Sequence, residues 1–184
     1  MQKISALSPD KATGKVKELF NAVQSKFGMV PNMMRTMGHS PAVLSGYLLF
    51  NSALSESSIG AKLGEQISLA VANANGCDYC NAAHSFIGEK LVGLDTKTIA
   101  DARKGKSADK KADAALSFVR ALVAKKGQVS DSEIDSLKEA GFSDAAIAEI
   151  IAYTGFNIFT NYFNNALNVA VDFPQAELME TAVI

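Results

Sequence analysis

The chain's only two cysteines lie in Gly76-Cys77-Asp78-Tyr79-Cys80, with His84 four residues beyond the second. Two thiols at this spacing can cycle between dithiol and disulfide. On a helix beginning at the first cysteine, Cys77, Cys80 and His84 stand at offsets of three, four and seven, on one face. Thiols in a first helical turn meet free backbone N–H groups and the positive end of the helix dipole, which favour thiolate. A neighbouring imidazole can take a thiol proton, or as imidazolium stabilise the thiolate.

A fourth residue joins this set by arithmetic. Glu65 lies about nine residues before the end of the preceding helix, roughly 14 Å back along it. His84 lies seven residues after Cys77, roughly 10 Å along the next helix. A tight Asn75-Gly76 turn folding the two helices antiparallel brings Glu65 and His84 to a similar level. The carboxylate can then orient and polarise the imidazole.

Other readings of the same residues stand beside this one. A C-x-x-C can be half of a zinc site, but a second pair is missing. Cysteine also packs as a small inert hydrophobe. His84 alone could be a core histidine, and Glu65 alone a solvated charge. His39, beside a helix start, reads as structural. Met29, Met33, Met34 and Met37 read as core or pocket lining. Asn157, Asn161, Asn164, Asn165 and Asn168 recur on the last helix and read as buried hydrogen-bonding or interface groups without a catalytic role.

The elements that must position these residues are helical. The 184 residues suit one domain, 1–184. Trp is absent and only four Pro occur, which favours helices over strands. Ser8 or Asp10 is expected to cap a first helix carrying Ala12, Val16, Leu19, Phe20, Val23 and Phe27, stopped at Gly28. After the Met29-Val30-Pro31-Asn32 turn and a short piece from Met33 to Met37, Ser40-Pro41 opens a helix to about Ser55. Ser57 or Ser58 opens the Glu65 helix, which ends at Asn75-Gly76. The cysteine helix runs to about Val92 with Gly93 after it. A small helix spans Lys97 to Ala102, and Lys104-Gly105-Lys106-Ser107 is expected to be a mobile connection. Helices from Lys110 to Lys126, from Asp131 to Ala140 and onward from Ser143 complete the chain. The tail from Pro174 is expected to dock on a neighbour.

One echo points to duplication. Glu65 precedes Cys77 and Cys80 by twelve and fifteen residues, and Glu149 precedes Asn161 and Asn164 by the same intervals.

Bulk properties narrow the function classes. A net charge of −1, with both signs interspersed, gives no footprint for nucleic acid or anionic lipid. The most apolar stretch, Ala145 to Phe163, contains Glu149, Asn157 and Asn161 and reads as a core helix, not a membrane span. The first residues lack the apolar core of a secretory signal, so a reducing, cytoplasmic setting is expected.

The run Glu65, eleven residues, Cys77-x-x-Cys80-x-x-x-His84-Ser85 resembles the signature of AhpD-like alkylhydroperoxidases in the carboxymuconolactone decarboxylase family. The Val30-Pro31-Asn32 turn, the Ser40-Pro41 start and an Asn-rich last helix ending in Val171-Asp172-Phe173-Pro174 also resemble longer members. The resemblance implies an all-α fold with an internal helical repeat, assembled as trimers or hexamers, with no cofactor and no metal. It implies peroxide reduction in antioxidant defence. Cys80, the more accessible thiol, would attack the hydroperoxide and become a sulfenic acid. Cys77 would resolve it as a disulfide, while Glu65 and His84 relay the proton through Cys77 and a water. An external dithiol, lipoylated or thioredoxin-like, would reduce the disulfide. Several family peroxidases carry histidine immediately before the second cysteine, where this chain has Tyr79. Three other functions are compatible with these residues: a disulfide oxidoreductase or redox sensor, a decarboxylase working through Glu65 and His84, and an assembly protein with a relic site.

Overall fold

The structure, a computed structural model, describes residues 1–174 and 176. The expected tail beyond Pro174 therefore lies almost wholly outside the described residues. Among those described there are nine α-helices and no strand: α1 Gly14–Phe27, α2 Asn32–Met37, α3 Pro41–Leu54, α4 Gly60–Ala74, α5 Asp78–Ile87, α6 Thr96–Arg103, α7 Lys110–Ala124, α8 Asp131–Glu139 and α9 Asp144–Leu167. The all-α expectation is met, and none of these helices is long and apolar enough to cross a membrane.

The core explains the order. α4 is the central helix, packed by α5, α6, α7 and α9. Its residues from Gln66 to Asn73 are all buried. Ile67, Leu69 and Val71 are fully enclosed, each contributing about 1.5–3 kcal/mol by burial. One apolar cluster joins α4 to α6, α7, α8 and α9. A second gathers Phe20, Val23, the α2 methionines and Leu44 around Cys77, Tyr79 and Cys80. The cysteine pair thus sits inside the smaller cluster, against the central helix.

Several boundaries differ from expectation. Ser8 leads only into a 3-10 turn at Pro9–Lys11, and Ala12 and Thr13 then run extended. Gly14, at φ 55°, breaks continuity, so α1 starts there. α4 takes no cap from Ser57 or Ser58. Ser58 instead donates its N–H and its hydroxyl to Glu149 Oε2 of α9, at 3.0 and 2.6 Å. A distant carboxylate does there what a local serine was expected to do. α5 gives way to a π-helical stretch at Gly88–Val92, ended by Gly93 at φ 73°.

The 104–107 connection, expected to be mobile, is tied down. Gly105 N–H donates to Ala102 O (2.8 Å), Lys106 N–H to Asp101 O (3.0 Å) and Ser107 N–H to Asp113 Oδ1 (2.8 Å). Gly105 is buried and packs so closely on Arg120 that a Cβ would fall 2.1 Å from its Cδ. Three polar residues around a glycine look like solvated linker, but their backbone groups are what the fold uses.

Candidate active site

The turn before the cysteines is built by two helices. Gly76 adopts φ 58°, which a glycine tolerates and a Cβ resists, and Cys77 N–H donates to Ala72 O at 2.9 Å. From α9, Asn161 Oδ1 accepts Asn75 Nδ2–H at 3.0 Å, and Asn165 Nδ2–H donates to Asn75 O at 2.9 Å. α9 thereby holds the turn by both the side chain and the carbonyl of Asn75.

Cys77 is the N-cap of α5. Its backbone is extended, and its Sγ accepts the N–H of Cys80 at 3.2 Å. Cys80 lies in the first turn, as the spacing predicts. The two cysteines are paired as a disulfide, with Cα atoms 5.3 Å apart. Their surroundings differ. Cys77 is fully enclosed at 0% exposure, while Cys80, at 2%, forms part of a cavity wall.

Glu65 and His84 meet as the helical arithmetic requires. The Nδ1 of His84 stands 2.8 Å from Glu65 Oε2. With a carboxylate accepting from Nδ1–H, the neutral ring keeps Nε2 as its basic nitrogen. Both residues line the cavity that Cys80 reaches.

That cavity holds about 250 Å³. Its walls are chiefly apolar and aromatic, including Phe27, Met34, Tyr47, Phe86, Phe156 and Phe173. Its polar groups are few: Asn51, Glu65, His84, Thr160 and Asn164 stand among them. Met29, Met33 and Met34 line it and Met37 is buried in the cluster behind, so the methionines take the lining and core roles expected of them. His39 bonds the carbonyl of Ser5 at 2.8 Å, away from the cavity. Among the described residues, no cluster of three or more His, Cys, Asp or Glu is placed to hold a metal ion.

Tyr79 forms a tether. Its hydroxyl donates to Asp172 Oδ1 at 2.8 Å and accepts the N–H of Met33 at 3.2 Å. Asp172 also accepts the N–H of Asn32 at 2.7 Å. Phe173 packs edge-on against the Tyr79 ring, centroids 5.8 Å apart, and also meets Phe86. Burial, and then the charge of Asp172, push the Tyr79 phenol far above the ordinary tyrosine value, although the Met33 N–H pulls the other way. The phenol is therefore neutral and acts as a hydrogen-bonding strut between α2, α5 and the segment after α9.

Asn164 is the residue that sequence reasoning missed. It is buried and hydrogen-bonded, as the run of asparagines predicts, but its partners are those of the site: its Nδ2–H lies 3.2 Å from Cys80 Sγ and 3.3 Å from Met33 Sδ. The available signal was the echo in which Asn164 takes the place of Cys80. The two halves of that echo do not behave alike, since Glu65 binds His84 whereas Glu149 binds Ser58.

Residues 41–124, which include all four predicted site residues, match the family model of the carboxymuconolactone decarboxylase family. Among solved structures, an uncharacterized peroxidase-related protein from Silicibacter sp. TM1040 is 24% identical, with a TM-score of 0.80 over 92% of each chain. An uncharacterized peroxidase-related protein from Ralstonia eutropha JMP134, described as an alkylhydroperoxidase AhpD core, is 23% identical, with a TM-score of 0.81 over 93% of this chain and 92% of that one. The debrominase Bmp8, solved in complex with 2,3,4-tribromopyrrole, is 21% identical, with a TM-score of 0.77 over 92% of this chain and 91% of that one. No curated protein matches the chain. At these identities the likeness shows the AhpD-like fold.

Proposed function

We propose, for a chain whose residues 41–124 match the family model of the carboxymuconolactone decarboxylase family and whose fold is AhpD-like, that it is a thiol-dependent peroxidase reducing hydroperoxides. The observation carrying this reading is the asymmetry of the pair. Cys80 alone reaches a cavity that also holds the Glu65–His84 contact, while Cys77 stands behind it within bonding distance.

In this reading His84 Nε2 takes up the proton of the reduced pair, through Cys77 and a water, with Glu65 stabilising the imidazolium. The Cys80 thiolate attacks the terminal oxygen of the hydroperoxide. A sulfur–oxygen bond forms and the oxygen–oxygen bond breaks. The departing alkoxide takes one proton and leaves as an alcohol. Cys80 becomes a sulfenic acid, and Cys77 thiol displaces its hydroxyl as water, giving the disulfide. An external dithiol returns the two electrons, and lipoylated or thioredoxin-like proteins have the required chemistry. The apolar walls favour a hydroperoxide with a bulky carbon body. Assembly as a trimer or hexamer belongs to the same reading.

The test follows consumption of cumene hydroperoxide with dihydrolipoamide as electron donor. Cys80→Ser is expected to lose turnover entirely. Cys77→Ser should reduce one equivalent and then stop, leaving a sulfenic acid that dimedone traps. Undiminished turnover in Cys80→Ser would sink the proposal.

A second reading has its own support in the likeness to the debrominase Bmp8. A dithiol beside an aromatic-lined cavity can replace C–Br by C–H, releasing bromide and a proton and ending as a disulfide. Bromide release from tribromopyrrole, with no consumption of hydroperoxide, would favour it.

A further inference from the structure

We propose that Asn164 is a catalytic residue of this site, holding the Cys80 sulfur through its amide N–H and the hydroperoxide O–H through its carboxamide oxygen. The proposal rests on the peroxidase reading for its second half only.

The orientation of the amide follows from its neighbours. A disulfide sulfur and a thioether sulfur carry no hydrogen, so each can only accept. The nitrogen end of the Asn164 amide therefore faces Cys80 Sγ and Met33 Sδ. The oxygen end is then turned away from the sulfurs. Asn164 is 2% exposed and belongs to the cavity wall. Its Oδ1 is buried and has no hydrogen-bond partner among the described residues. A buried carbonyl oxygen without a donor is costly, and a ligand O–H brought to it would recover that cost.

Both ends suit the chemistry. A thiolate in an apolar cavity is disfavoured by lost solvation, so an N–H aimed at the sulfur counts for more there than in water. Charge on the sulfur also shortens and strengthens that bond. The terminal oxygen of a hydroperoxide, the atom attacked, carries the O–H. An acceptor on the same side chain that bonds Cys80 keeps that oxygen near the sulfur instead of leaving it to tumble in the cavity. Atoms and electrons balance as in the cycle above, and Asn164 exchanges no proton.

Position on α9 makes the arrangement rigid. Asn161 and Asn165, three residues before and one after, hold the Asn75-Gly76 turn from which Cys77 starts. The helix that presents the amide therefore also fixes the backbone that presents the thiols.

The experiment compares wild type with Asn164→Leu, which keeps the volume but has neither donor nor acceptor, and with the smaller Asn164→Ala. The pH dependence of iodoacetamide alkylation at Cys80 is measured on the fully reduced proteins, with the adduct located by mass spectrometry. The midpoint is expected to rise by about one pH unit in both variants. At a pH where Cys80 is fully ionised, cumene hydroperoxide is expected to react at least about tenfold more slowly with Asn164→Leu, because the oxygen is no longer held. An unchanged alkylation midpoint in a folded variant overturns the proposal, and Asn164→Ala carries this measurement should Asn164→Leu not fold. A wild type that alkylates normally but consumes no hydroperoxide defeats the peroxidase reading and the carboxamide half with it. The midpoint shift would still report the Asn164–Cys80 bond.

Discussion

Tyr79, between the two cysteines where several family peroxidases carry histidine, shows what a single side chain does to the site. A base at this position would help ionise the thiol, but burial and Asp172 keep the phenol protonated. Its work is mechanical, joining Met33, Asp172 and Phe173 into the wall beside Cys80. Tyr79→Phe is therefore expected to cost about 1–2 kcal/mol, leaving the Met33 N–H without its partner, while the disulfide still forms. The same shift fixes an alkaline dependence. The folded-state pKa lies above the ordinary 10.0, so the unfolded chain ionises first. The stability linked to Tyr79 is complete below pH 10 and is lost as the pH rises beyond it. Urea midpoints at about pH 8 and about pH 10.5 check this, and the alkaline loss should be smaller in Tyr79→Phe, with the partly buried Tyr47, whose phenol is also pushed up, supplying part of what remains.

At the scale of elements, α4 and α5 form the hairpin that brings carboxylate, imidazole and thiols together. Its register depends on two residues, Asn75 and Gly76. Gly76 sits in the left-handed region, and nothing lies within 4 Å of where its Cβ would be. The cost of Gly76→Ala is thus conformational, about 1–2 kcal/mol, with no steric clash to add. That loss should appear in thermal unfolding, while disulfide formation in the folded protein persists. Loss of the disulfide in a folded Gly76→Ala protein would show that the turn sets the thiol geometry more tightly than the clamp from Asn161 and Asn165 allows.

The whole molecule presents apolar side chains that its own fold leaves uncovered. Leu49 and Phe50 on α3, and Phe159 and Tyr162 on α9, are exposed. The aromatic contact of Phe50 with Phe156 ties this surface to a residue of the cavity wall. Exposed apolar groups on packed helices are expected contacts between copies of a chain. Leu49→Glu is predicted to lower the mass measured by light scattering towards that of one chain, with helix content unchanged by circular dichroism. A wild type that is already monomeric would remove the basis for the assembly proposed above.

The sequence by itself determined the helical class, most helix stops and the Glu65–His84 contact. Each of these depends on rise per residue, on glycine stereochemistry or on a turn two residues long, all of which are local. The Cys80 first-turn position was legible for the same reason. Only the tertiary structure decided that Glu149 would bind Ser58, that the 104–107 connection would be tied by hydrogen bonds around a buried Gly105, and that Tyr79 would serve as a strut. It also decided that Asn164, eighty-four residues from Cys80, would lie against its sulfur. Helical periodicity places a residue on a face, but which face meets which depends on how α9 packs across α4 and α5. That packing is set by the sum of many apolar contacts, and no short stretch of sequence encodes it.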